Sequence, residues 1–114
     1  MKRDIQERTF NFGLRIINLS NHLPNTKAAK VLGRQVLRSG TSVGANVEEA
    51  VGAFSKKEFA AKMGIALKES RETRYWLRLL DKSQLVKFDF SSHLKKVEDI
   101  VNILTAIVKT SQGN

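Results

Sequence analysis

The segment Arg38-Ser-Gly-Thr-Ser-Val-Gly-Ala-Asn46-Val-Glu-Glu-Ala-Val-Gly-Ala-Phe54 puts small residues, one amide and two carboxylates where a helical core would carry leucine. It does so without losing phase. Leu32, Val36, Ser39, Val43, Asn46, Ala50 and Ala53 follow alternating steps of four and three, a stripe that faces a partner helix along most of its length. On propensity alone Ser39-Gly40-Thr41-Ser42 reads as a turn, yet a turn would reset the phase, and the phase continues through it. The spacing predicts one long helix over 26–54 with Thr26 as its N-cap. Gly40 and Gly44, one helical turn apart, suit close contact with a neighbouring helix.

The rest of the chain supplies partners for that helix. From Asp4 to Leu23, Ile5, Phe12, Ile16, Leu19 and Leu23 recur at helical spacing, and Phe10, Leu14 and Ile17 are expected to widen the buried stripe. Pro24 ends that helix, because a residue before proline is pushed out of the helical region. Ser55-Lys-Lys-Glu58 is a capping box. It starts a third helix with the core row Phe59, Met63, Ala66, Ser70, Thr73, Leu77 and Leu80. The pattern fails at 81–84, and 85–90 reads as a loop with apolar anchors. A last helix from Ser91 or Ser92 carries Leu94, Val97, Val101, Leu104 and Val108, broadened by Ile100, Ile103 and Ile107, with fraying expected from Thr110. No stretch alternates with a period of two. Four helices with short connections bury their stripes as an all-α, antiparallel up-down-up-down bundle in one domain over 1–114.

Composition limits the chemistry. With no cysteine in 114 residues, thiolate metal sites and cysteine nucleophiles are excluded. The charged start and the lack of a long apolar run point to a cytoplasmic protein with no membrane role. Twenty Lys and Arg against eleven acids leave +9, a surplus that favours polyanionic partners, nucleic acid first.

Three runs carry a resemblance: Arg38-Ser-Gly-Thr-Ser-Val-Gly-Ala-Asn46-Val-Glu-Glu-Ala, Ser55-Lys-Lys-Glu-Phe59, and Ile65-Ala-Leu-Lys-Glu69-Ser-Arg-Glu72-Thr-Arg-Tyr-Trp76-Leu. Over nearly the whole chain the sequence resembles the four helix bundle protein family, also called the 23S rRNA-intervening sequence protein family. The resemblance implies a left-handed bundle assembled as a ring-shaped homopentamer. A related basic bundle is the accessory protein of diversity-generating retroelements, which partners a reverse transcriptase and nucleic acid.

Several constellations invite chemistry. Gly40-Thr-Ser-Val-Gly44 matches the nucleophile elbow of α/β hydrolases, but that chemistry needs a strained strand-to-helix turn, and here the helical phase runs through. Asn46, Glu48, Glu49, Glu69 and Glu72 suggest a carboxylate metal site, yet the Glu-x-x-His pairs of di-iron bundles are missing, and His22 and His93 lie at helix ends. No metal or other cofactor is expected. A structural polar network of Ser42, Asn46, Glu49, Glu69, Glu72 and Thr73, helped by an arginine, is the expected outcome, since a buried carboxylate needs a partner. Trp76 is expected in the core or a subunit interface.

The basic residues are patterned. Lys27, Lys30, Arg34 and Arg38 form one row on the second helix, and Arg71, Arg74, Arg78 and Lys82 form another on the third, opposite its core row. Tyr75 lies nearer the basic side and is the candidate for stacking on a base. Such rows suit sequence-independent, salt-sensitive phosphate contacts. The reading is a non-enzymatic, homo-oligomeric bundle that binds RNA or DNA through its phosphates. The alternative is a scaffold docking an acidic partner, such as a reverse transcriptase or another nucleic-acid enzyme.

Overall fold

A computed structural model describes residues 2–112 as four helices: α1 (Lys2–Ser20), α2 (Lys27–Val51), α3 (Lys56–Ser83) and α4 (Ser91–Gln112). Both anticipated caps set helix starts. Thr26 Oγ1 accepts from the Ala29 N–H at 3.2 Å, and Ser55 Oγ accepts from the Glu58 N–H at 3.0 Å. Gln84, left-handed at φ 60°, ends α3. Gly40 to Gly44 lie inside α2, where Ser42 Oγ donates to the Arg38 carbonyl at 2.7 Å. No strained turn exposes a serine there.

Each helix packs on two others: α1 on α2, α2 on α3, α3 on α4, and α4 back on α1. Gly44 approaches Thr9 and Gly40 approaches Ile16, so α1 and α2 run in opposite senses. Ser39 meets Thr73 while Glu49 meets Lys62, so α2 and α3 do too. The core runs from Ile5, Phe12, Ile16 and Leu19 through Val36, Val43 and Val47 to Met63, Leu77, Leu80, Val97, Ile100 and Leu104. Phe90, in the loop after α3, is buried against it, with Val86 and Phe88 alongside.

The structure corrects the sequence reading in four places. Phe10, Leu14 and Ile17 do not widen the buried stripe: they are 65 %, 52 % and 44 % exposed. At 100° per residue they sit roughly 100–160° around α1 from Phe12 and Ile16, on the outer face. On α2 the α1-facing edge of the stripe is Gly33, Gly40 and Val47, all buried, while Leu32 and Asn46 are half-buried on the edge toward α3. α1 ends at Ser20, where the run Asn21 to Asn25 breaks it as expected, but α2 ends at Val51, three residues short of expectation, leaving Ala53 outside it. Finally, 110–112 remain helical, with Ser111 Oγ donating to the Ile107 carbonyl at 2.8 Å; Gly113 and Asn114 lie outside the described residues.

Candidate nucleic-acid interface

The two basic rows occupy the same end of the bundle. Because α2 and α3 run in opposite senses, with Arg38 against Glu69 and Glu72, the stretch from Lys27 to Arg38 lies along the stretch from Arg71 to Lys82. The rows are not one strip. Arg74 reaches across to α4, where both oxygens of Glu98 accept from its Nη1 at 3.1 and 3.2 Å. Arg74 therefore lies on the α4 flank of α3, whereas on α2 Arg38 turns toward α3 and Lys30 and Arg34 border the end of α1 near Ser20 and Leu23.

Pairing divides the cations into two classes. Arg38 donates to Glu69 at 3.2 Å and to Glu72, and these contacts, Glu72 first, raise its pKa. Glu72 in turn accepts from the indole Nε1–H of Trp76 at 3.1 Å. That bond, followed by the Arg38 guanidinium, holds its carboxyl below the ordinary value. Arg38 and Arg74 are thus neutralised by carboxylates. Lys27, Lys30, Arg34, Arg71, Arg78 and Lys82 are exposed, and none has a hydrogen-bonding or ion-pairing side chain among the described residues. Tyr75, 54 % exposed, stands between Arg71 and Arg78 with its ring edge against Trp76 at 5.1 Å.

The anticipated polar network separates into pieces. Glu69, Glu72, Arg38 and Trp76 form one cluster bridging α2 and α3. Thr73 Oγ1 donates to Ser39 Oγ at 2.8 Å within the core. Asn46 donates to the Ser42 carbonyl at 2.9 Å on its own helix and touches neither glutamate. Glu49 pairs with Lys62 at 2.7 Å, and Glu48 accepts from Gln6 at 3.1 Å. Among the described residues no three His, Asp or Glu side chains converge on a metal-sized site, and no helix is long and apolar enough to cross a membrane.

One feature escaped the sequence reading altogether. Phe10, Gly13, Leu14 and Ile17 of α1, with Thr41, Gly44 and Ala45 of α2, line an outward-facing groove of about 270 Å³. Its signal was available, since three apolar residues on the far side of α1 at helical spacing mark a second stripe. Their nearness in sequence to the core row concealed it.

The sequence model of one protein family, described as the 23S rRNA-intervening sequence protein, matches residues 1–106. Among solved structures, the chain is similar to a protein of unknown function from the S23 ribosomal protein family of Bacteroides thetaiotaomicron VPI-5482. The two share 39 % identity and a TM-score of 0.87 over 96 % of this chain and 99 % of that one. No curated protein matches.

Proposed function

The chain belongs to the 23S rRNA-intervening sequence protein family, and from that premise we propose that it is a non-enzymatic, homopentameric bundle that binds nucleic acid through the phosphate backbone. The observation that carries this reading is the set of six unpaired cations, Lys27, Lys30, Arg34, Arg71, Arg78 and Lys82, gathered at one end of α2 and α3. Exposed cations whose charge is not spent on internal carboxylates are the ones free to replace the counterions condensed on a polyanion. Tyr75 adds an aromatic face among them for an unstacked base. Nothing in the rows provides base-edge discrimination, so the binding is indifferent to sequence.

Assembly multiplies the effect. The groove on α1 and α2 offers apolar surface for a second copy, and five copies of +9 carry +45. Fluorescence anisotropy with unrelated RNA and DNA oligonucleotides tests the reading. Binding is expected at low salt, with similar affinity for each sequence and a steep loss as salt rises. Arg34→Gln with Arg78→Gln is expected to lower the salt slope, whereas Arg74→Gln leaves it nearly unchanged. Absence of binding at low salt, or affinity that ignores ionic strength, overturns the proposal.

A further inference from the structure

At the junction of α1, the turn after it and the first turn of α4 lies a small polar cavity of about 120 Å³ lined by Arg15, Asn18, Leu19, His22, Phe88 and His93. Two nitrogens there are unusual. Arg15 Nε and His93 Nδ1 are both buried and find no hydrogen-bond partner among the described residues. His93 as a whole is only 7 % exposed, so bulk solvent does not readily satisfy it. Polar atoms buried in this way are rare in folded proteins and mark strain, chemistry or a missing partner.

The surroundings select the kind of partner. Arg15 is fixed through a hydrogen bond from Nη2 to Ser92 Oγ, which leaves its Nε–H as a charged donor. His93 is the third residue of α4, where backbone N–H groups lack intrahelical acceptors and the helix dipole is positive. Lys96 lies one turn further along α4, and His22 lines the same cavity, its Nδ1 2.8 Å from the Asn18 carbonyl. The acid nearest in sequence, Asp89, has one carboxylate oxygen engaged by the N–H and hydroxyl of Ser91 at 3.0 and 2.7 Å. The potential is thus positive and the unpaired group on Arg15 is a donor.

We propose that this cavity binds a small tetrahedral oxyanion, a phosphate either free or as the terminal group of a phosphomonoester, held by Arg15 Nε–H and by protonated His93 Nδ1–H. The volume suits one such group or several waters. In the unliganded protein, burial first and then the charges of Arg15 and Lys96 push the His93 pKa down, with the Arg15 backbone carbonyl opposing them. An anion between Arg15 and His93 reverses that balance, so binding takes up a proton and strengthens as pH falls. The site sits on different helices from the unpaired basic rows and does not depend on their binding nucleic acid.

The chain has two histidines, so their ring proton signals in an NMR pH titration are assigned with one variant, His22→Gln. Inorganic phosphate at constant ionic strength is expected to raise the His93 midpoint by about one unit, equivalent to about tenfold tighter binding to the protonated ring. Sodium chloride at the same ionic strength is expected to leave it in place. Methyl phosphate reproducing the shift identifies a phosphomonoester ligand, while a response to inorganic phosphate alone identifies the free ion. Arg15→Gln is expected to abolish the response. A His93 midpoint that ignores both phosphates in the native protein overturns the proposal, whether or not the Arg15 variant folds, as does a full response in a folded Arg15→Gln protein.

Discussion

At the scale of single residues, the glycines of α2 and the histidine of α4 carry the sharpest consequences. A Cβ at Gly40 would lie 2.9 Å from two carbons of Ile16, a buried β-branched side chain with little room to move. At Gly44 it would lie 3.2 Å from the Thr9 backbone carbonyl. At Gly64 nothing lies within 4 Å. Gly40→Ala should therefore lose about 1–3 kcal/mol through overpacking, whereas Gly64→Ala should gain about 0.5–1 kcal/mol from helix propensity. Urea unfolding of the pair checks both signs. Gly44→Leu should likewise destabilise far more than Arg74→Ala, whose half-exposed pair with Glu98 contributes at most about 1 kcal/mol. Gly40 and Gly44 were legible as a close helix contact, and both meet α1; the rest of that edge was not. Leu32, Ser39 and Asn46 were legible as a row, but the buried edge beside it is built from Gly33, Gly40 and Val47. Glycine registers as no hydrophobicity, and a close approach of two backbones leaves no apolar side chain to count. His93 adds a pH dependence. Its pKa is lowered on folding, so the unfolded chain binds more protons below the ordinary imidazole value of about 6.5, and stability falls as pH drops through that value toward the lowered one. Phosphate-free thermal melts between pH 7 and 5 should show this loss, and His93→Gln should flatten it.

At the scale of elements, the α2–α3 contact joins two kinds of glue. Small and hydroxylic residues fill its centre, with Thr73 bonded to Ser39, while the Arg38–Glu69–Glu72–Trp76 cluster seals its outer edge. The carboxylates were readable as needing partners, and an arginine was foreseen. Which one could not be read, because pairing depends on the relative register of two helices 31 to 34 residues apart in sequence. The Ser55 N-cap, by contrast, is local and was legible: its hydroxyl accepts from the Glu58 N–H. Ser55→Ala should cost about 1 kcal/mol by leaving the first turn of α3 uncapped. Glu72 provides an acid-side test of the cluster. Its pKa is lowered from 4.5 on folding, so its contribution is present above that value and is lost as pH falls through the lowered one. Glu72→Gln should flatten the stability profile below about pH 4.5, and the Trp76 emission spectrum should shift as its indole loses a charged acceptor.

At the scale of the whole molecule, charge and apolar surface bear on the same question. The described chain is a rod of 46 × 20 × 19 Å that leaves Phe10, Leu14 and Ile17 exposed along one side of α1. Apolar residues at regular helical spacing on an outer face have the form of an interface rather than of scattered surface hydrophobes. If that face joins copies, Phe10→Gln with Leu14→Gln should convert the proposed assembly of five 12.8 kDa chains, about 64 kDa, to the single chain. Light scattering would show the change. The monomer should keep its helical content, because neither side chain contributes to the bundle core. The double substitution alters no cation, yet it should also weaken nucleic-acid binding and flatten its salt dependence, since each lost neighbour removes a set of phosphate contacts from the same polyanion. A variant that becomes monomeric but retains the full salt slope would separate assembly from binding, and would confine the phosphate contacts to the six cations of a single chain.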